Sequence, residues 1–292
     1  MKDKKQNIEL NKLRSYSSIF SSSYFSRLLK FDDYSFIDDN ILQFDQIKIG
    51  KKFDTYYEYI KYVYNELSKE YRNEYVYKNT FLTELLINSY GVKDTVAISE
   101  FKIGNSIADI VLFNGTSKAF EIKTELDSRR RLNGQLIDYR KIFKECYVII
   151  HEAFMDDYLI ENDSVGVIVL EREKRSLKMR EIRKAKENFD IDSDAVMHCI
   201  RTEEYKTIIL EYYGHLPKMN SFNMFEICRG LMHEIPSETL HTLFIEQLKK
   251  RKSNTQNLVV FQKELRQLGL SMNINDNAHE KLLYKLNKPI PF

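Results

Sequence analysis

Between residues 95 and 152 the hydrophobic period changes from that of strands to that of a helix and back, and this limits the fold more than any other feature of the chain. "TVAISEFKI" (95–103), "SIADIVLF" (106–113) and "KAFEIKT" (118–124) are runs of strand character, with Asn114-Gly115 supplying hairpin chemistry between the last two. They predict a β-meander. "SRRRLNGQLIDYRKIFKE" (128–145) then sets Leu132, Leu136, Ile137, Tyr139, Ile142 and Phe143 on roughly one side of a helix, and the apolar run "CYVIIHE" (146–152) follows. A strand, a helix of this length and another strand form a crossover unit whose two strands lie parallel in one sheet. An α/β centre with a mixed sheet is therefore expected.

The flanks read as helical. Residues 54–72 place Tyr57, Ile60, Val63, Tyr64 and Leu67 at helical spacing after Asp54, a good N-cap. "YKNTFLTELLINSYG" (77–91) predicts a second helix, with Asn79 or Thr80 as cap, Phe81, Leu85 and Leu86 as its stripe, Glu84 within it and Gly91 at its end. Residues 15–50, rich in Ser and Asp but studded with aromatics, read as an ordered, irregular arm. "GVIVLERE" and "LKMREIRKA" predict a hairpin around "KRS", and after about residue 187 only helices are expected, at 192–200, 202–213, 221–232 and 237–251. The division drawn from this is a helical N-terminal arm (1–74), an α/β core (75–186) and an all-α C-terminal region (187–292).

Size and charge narrow the function. A chain of 292 residues can bury a core that needs no disulfide or structural metal. Cys146, Cys199 and Cys228 are far apart and form no CxxC pair, so they read as reduced thiols. The first residues lack an apolar stretch of signal-peptide length and no run of about 18 apolar residues occurs, so a cytoplasmic protein without membrane attachment is expected. The net charge of +2 excludes a polycation, and any nucleic-acid binding must come from a local patch.

The chemistry concentrates in "FEIKT". Side chains alternate across a strand, so Glu121 and Lys123 share one face while Phe120, Ile122 and Thr124 share the other. The preceding strand offers one acid, Asp109, amid apolar residues. Two carboxylates held close repel each other unless a cation or a shared proton intervenes, and hard oxygen donors suit Mg²⁺, which keeps waters and accepts phosphate oxygens. A lysine beside such a site can stabilise charge on phosphorus or position an attacking water.

These residues resemble the PD-(D/E)XK nuclease superfamily: Asp109, then Glu121-Ile122-Lys123, with Glu84 on the helix before and Gln135 on the helix after, in the element order α-β-β-β-α-β. The resemblance is nearest to a bacterial sce-type family of largely uncharacterised proteins with a helical C-terminal tail. It implies a restriction-endonuclease-like core and a metal-dependent phosphodiester hydrolase acting on DNA in preference to RNA. It further implies Mg²⁺ or Mn²⁺ held by Asp109, Glu121, the Ile122 carbonyl and Glu84, catalysis by Lys123, and Gln135 and Tyr139 facing the site. Ala108 stands where the eponymous proline would be.

Blander readings stand beside these. Glu121 and Lys123 can form an exposed ion pair worth about a few tenths of a kcal/mol, and Glu84 can be a solvated helix position. Tyr139 can be core; Arg129, Arg130 and Arg131 can grip phosphate through their planar forks or simply be a solvated charge run. The six histidines show no ligand spacing and read as structural or surface residues. Against the nuclease stands a catalytically silent module that binds nucleic acid or a protein partner in phage defence or a mobile element. The helical tail is a candidate for homodimer or partner contacts.

Overall fold

A computed structural model describes residues 2–161, 163–174 and 176–292; the side chains of residues 2–5, 129 and 161 lie outside that description. The chain divides into two compact units, the first made of residues 1–90 with 256–292, the second of residues 91–255.

In the first unit the expected irregular arm is helical: α1 (Lys2–Ile19), α2 (Ser22–Phe31) and α3 (Ser35–Asn40), followed by a wide π-type turn at Ile41–Asp45. The aromatics that made this segment look merely ordered are its packing residues. Tyr16, Phe25 and Phe36 are buried, and Tyr16 stands edge-on to Tyr59. Helix α4 (Tyr56–Glu70) begins one residue later than the sequence suggested: Thr55, not Asp54, is the cap, because Thr55 accepts from Glu58 N–H while Glu58 reaches back to the Thr55 N–H. Helix α5 (Glu74–Phe81) is capped by Asn73, and Asn79 and Thr80 lie buried inside it rather than at its start. It passes into a second π-type segment, Leu82–Tyr90.

The second unit carries one six-stranded sheet in the order β1 (Val96–Ile103), β2 (Ser106–Phe113), β3 (Ser117–Lys123), β4 (Glu145–His151), β5 (Gly166–Glu173) and β6 (Ser176–Arg183). β1–β2–β3 is the antiparallel meander, β3–β4 and β4–β5 are parallel, and β5–β6 is an antiparallel hairpin. A crossover helix is what a parallel β3–β4 pair requires. That helix, α6 (Leu132–Arg140), is much shorter than the sequence pattern, and Ile142 and Phe143 are buried beyond its end. Ile137 is 64% exposed, so it is not part of the stripe.

One close approach sets the packing of the sheet. Gly166 pairs with Tyr147, and a Cβ at Gly166 would lie 2.2 Å from the Tyr147 ring and 2.8 Å from the Ala185 N. Because neither the β4 ring nor backbone can retreat cheaply, Gly166→Ala should lower stability by about 3 kcal/mol, the upper part of the range for overpacking. Chemical denaturation checks this, with a change below 1 kcal/mol showing that the ring swings away.

After α7 (Met155–Glu161) and the hairpin come α8 (Ser193–Cys199), α9 (Thr202–Tyr213), α10 (Met224–Glu234) and α11 (Ser237–Lys249). These helices are not a separate tail. Ile208, Ile209, Met232, Phe244 and Leu248 share one core with Val111, Phe113, Val148 and Tyr139, and the Phe244 and Phe113 rings meet edge-on at 5.7 Å. The last helices, α12 (Arg266–Ser271) and α13 (Asp276–Leu286), belong to the first unit. Asn79 holds α12 there by accepting from Gln267 N–H at 2.9 Å and donating to the Lys263 carbonyl, and Thr55 bridges Pro289. The boundaries at 74 and 186 therefore give way to boundaries at 90 and 255. Sequence adjacency had joined helices that bury their apolar faces in two different cores.

Candidate active site

The site lies at the carboxyl end of β3. Register pairs Ile110 with Phe120, and one step further along the two strands Asp109 comes opposite Glu121. At that step the Asp109 side chain takes over from the backbone ladder: its Oδ2 accepts from the Ile122 N–H at 2.8 Å. Asp109 is thereby fixed beside the residue that separates Glu121 from Lys123.

Glu121 is 3% exposed, and a carboxylate so placed needs partners. Its Oε1 accepts from Lys123 Nζ at 2.7 Å and from Gln135 Nε2 at 2.7 Å. The Gln135 Oε1 in turn accepts from Lys123 Nζ at 3.1 Å, closing a three-membered ring of side chains. Tyr139, one turn along α6, lies 2.6 Å from Glu121 Oε2 and 2.7 Å from the Ile107 carbonyl. Burial, followed by the charge and hydrogen bond of Glu121, raises the Tyr139 phenol far above its ordinary range, so it stays protonated and donates. Its one proton is shared between two oxygens. Glu121 Oε1 is thus filled by two donors, whereas Oε2 retains lone-pair capacity.

The exposed ion-pair reading of Glu121 and Lys123 does not hold, since their side chains are 4% and 12% exposed. Asp109, Glu121, Lys123, Gln135 and Tyr139 are brought together. Tyr139 is fully buried and acts on Glu121 rather than on a surface open to nucleic acid. Arg130 and Arg131 are exposed just before α6, while the side chain of Arg129 lies outside the described residues. Glu84 belongs to the first unit, in the π-type segment, where its carbonyl accepts from Ser89 Oγ at 3.0 Å.

The turn after Lys123 is built by one carboxylate. Asp127 Oδ2 accepts from Thr124 N–H at 2.9 Å and Thr124 Oγ1–H at 2.8 Å, which fixes how the chain leaves β3 for α6. Beside it lies a pair that spacing rules overlook. His151, at the carboxyl end of β4, accepts from Ala153 N–H through Nδ1 at 3.1 Å, and this leaves its Nε2, the proton-bearing nitrogen, 3.3 Å from Glu125 Oε1. The signal was topological: His151 ends β4 and Glu125 lies in the turn just past the end of its parallel neighbour β3, the end of an α/β sheet where ligands bind.

The donor set suits a hard dication of Mg²⁺ type, which takes one or two carboxylates and otherwise keeps waters or phosphate oxygens. Asp109, the spare capacity of Glu121 Oε2 and the Ile122 carbonyl are hard oxygens of that kind. Among the described residues no group of three or more His, Cys, Asp or Glu side chains is arranged to enclose a metal, so a closed all-protein cage is not what this site offers. The three cysteines are free, and no helix among the described residues is long and apolar enough to cross a membrane.

The family model of bacteriophage P4 protein cII matches residues 67–272. Protein cII of Enterobacteria phage P4 is 26% identical over 134 residues, 45% of this chain, and the chain spans about half, 51%, of that relative's length. A solved structure of a protein of unknown function from Silicibacter pomeroyi aligns over 48% of this chain and 93% of its own, with 12% identity and a TM-score of 0.31.

Proposed function

The chain belongs to the bacteriophage P4 protein cII family, and from the side chains gathered at the end of β3 we propose that it is a metal-dependent nuclease with a restriction-endonuclease-like core. The observation that carries this is the buried ring of Glu121, Lys123 and Gln135 beside Asp109. Several kcal/mol of desolvation is a large cost for a sheet margin, and a purely structural role could be filled by apolar residues at lower cost. The order of helix, three-stranded meander, helix and parallel strand supports the same reading.

The roles follow from donor counts. Lys123 carries three N–H donors and spends two, on Glu121 and on Gln135, so the third is available to an attacking water or to a non-bridging phosphate oxygen. Gln135 spends both ends of its amide and so fixes the Lys123 rotamer. Tyr139 fixes Glu121 from the other side, and the Asp109–Ile122 bond fixes the strand between them. A hard dication held by Asp109, Glu121 and the Ile122 carbonyl would supply Lewis-acid charge at phosphorus and a more acidic bound water. Lys123 then orients the water oxygen for attack on phosphorus as the P–O bond to the leaving strand breaks, and its positive charge offsets the charge gathering on the phosphate oxygens. The match to a phage protein supports a setting in phage or mobile-element biology; DNA is the polymer this proposal takes.

The test is incubation of the protein with linear, circular and single-stranded DNA, with Mn²⁺ or with EDTA. Strand scission that requires the metal is expected, together with a rise in thermal midpoint on Mn²⁺ titration; at one hundred times Kd, binding stabilises by about 2.7 kcal/mol. A protein that neither cuts any of the three substrates nor gains stability from Mn²⁺ would be the silent module instead.

A further inference from the structure

We propose that the first unit carries a second nucleic-acid site, a groove on α4 that holds the phosphodiester backbone of a nucleic-acid strand through Lys52 and Lys61. The groove, of about 320 Å³, is lined by Lys52, Glu58, Lys61, Tyr62 and Asn65. The inference takes the class of its ligand from the nuclease reading, but it stands on geometry in the other unit.

Charge is the first argument. Lys51, Lys52 and Lys61 are exposed, and none of them forms an ion pair among the described residues, whereas lysines elsewhere, such as Lys141, Lys206 and Lys250, do. Two nearby carboxylates are bound to other partners, and of these Glu58 still feels the charge of Lys61. Glu58 Oε2 accepts from the N–H groups of Asp54 and Thr55 at 2.7 and 3.1 Å, as the reciprocal half of the α4 cap. Asp45 is buried and bound by Lys48, Lys12, Tyr59 and Tyr16. Asp54, exposed on the same turn, offsets one charge. Counting Lys12, Lys48, Lys51, Lys52 and Lys61 against Asp45, Asp54 and Glu58, the patch keeps a positive excess equal to the net charge of the whole chain.

Rigidity is the second. Residues 48–53 form a closed turn in which Lys51 and Lys52 N–H both donate to the Lys48 carbonyl, at 3.1 and 2.9 Å, and Gly50 N–H donates to the Phe53 carbonyl at 3.1 Å. Gly50 has φ +73, and Phe53 is buried as the anchor of the turn. On the other side Lys48 Nζ donates to Tyr62 at 2.6 Å, which fixes the phenol at the floor of the groove. Unpaired ammonium groups held near one another on a fixed scaffold, with an amide and a phenol between them, match a chain of phosphates with hydroxyl-bearing sugars. Such contacts position a strand without reading its sequence.

The experiment uses the full chain in EDTA, so that no cleavage occurs, and follows the anisotropy of a labelled 20-nucleotide single-stranded DNA at a series of salt concentrations. Lys52→Gln/Lys61→Gln should weaken binding about tenfold at low salt and reduce the slope of log K against log salt by about 1.4, the value for two phosphates on a single strand. Lys93→Gln/Lys218→Gln, an equal change of net charge at exposed lysines elsewhere, should leave both unchanged. Absence of binding, an equal loss in both variants, or displacement of the oligonucleotide by millimolar inorganic phosphate at constant ionic strength would each overturn the groove as a strand site. Metal-dependent cleavage with undiminished binding in the Lys52/Lys61 variant would remove the groove and leave the nuclease reading. Binding through the groove without cleavage under any metal would do the reverse.

Discussion

Lys123→Met should abolish the proposed metal-dependent cleavage and also cost about 3 kcal/mol of stability, the loss expected when one partner of a buried ion pair is removed. Glu121 would keep Gln135 and Tyr139 but lose the positive charge that compensates its burial. The double variant Glu121→Gln/Lys123→Met should recover most of that stability, or exceed the parent, because no uncompensated charge remains and the volumes are nearly kept. It should remain inactive. Urea unfolding of the parent, both single variants and the double variant, beside the cleavage assay, gives the coupling energy directly. If the double variant is no more stable than Lys123→Met, the pair is not an energetic unit; if it still cuts DNA, the proposed roles are wrong.

The second large effect is a loss of stability on acidification through His241, far in sequence from β3 and on α11. His241 is 2% exposed; its Nε2 lies 2.7 Å from Ser117 Oγ, which accepts from the Lys144 N–H and so has its own proton to give. That chain of bonds makes Nε2 an acceptor and the ring neutral. Burial, assisted by the charge of Lys144, pushes its pKa down to about 4 from an ordinary 6.5. The unfolded chain then binds a proton between pH 6.5 and 4 that the folded chain does not. Stability is complete above pH 6.5 and falls as pH drops toward 4, by about 3 kcal/mol in all at 1.36 kcal/mol per unit. His241→Gln should flatten that part of the profile, though it starts from a lower plateau. An unchanged slope in the variant would assign the acid sensitivity to other groups.

The strands were legible because a period of two survives in short windows, and Glu121, Lys123 and Asp109 were legible because three residues at a strand pair carry their own geometry. Gln135 came only from the family resemblance, which implies a residue on the next helix facing the site. Apart from the α4 cap, which the local Thr55–Glu58 pair decides, the missed features depend on partners remote in sequence. Asp54 and Thr55 are equally good caps until Glu58 selects Thr55 by bonding its N–H. Ile137 fits the helical stripe of α6 on spacing, yet α6 ends at Arg140 and its buried face is set by Leu132, Leu136 and Tyr139. His151 and Glu125 share no motif and meet because β3 and β4 are parallel neighbours. The helices after residue 187 were found, but sequence order could not tell which core each one fills.

The first unit is interrupted by the second, and this bears on how the protein is made. During synthesis residues 91–255 can finish their sheet and its covering helices as soon as they emerge, while residues 1–90 must wait for α12, α13 and the strand-like contact at Pro289. A ribosome stalled after residue 255 has emerged but before that point leaves the earlier-born segment exposed and the later-born unit complete.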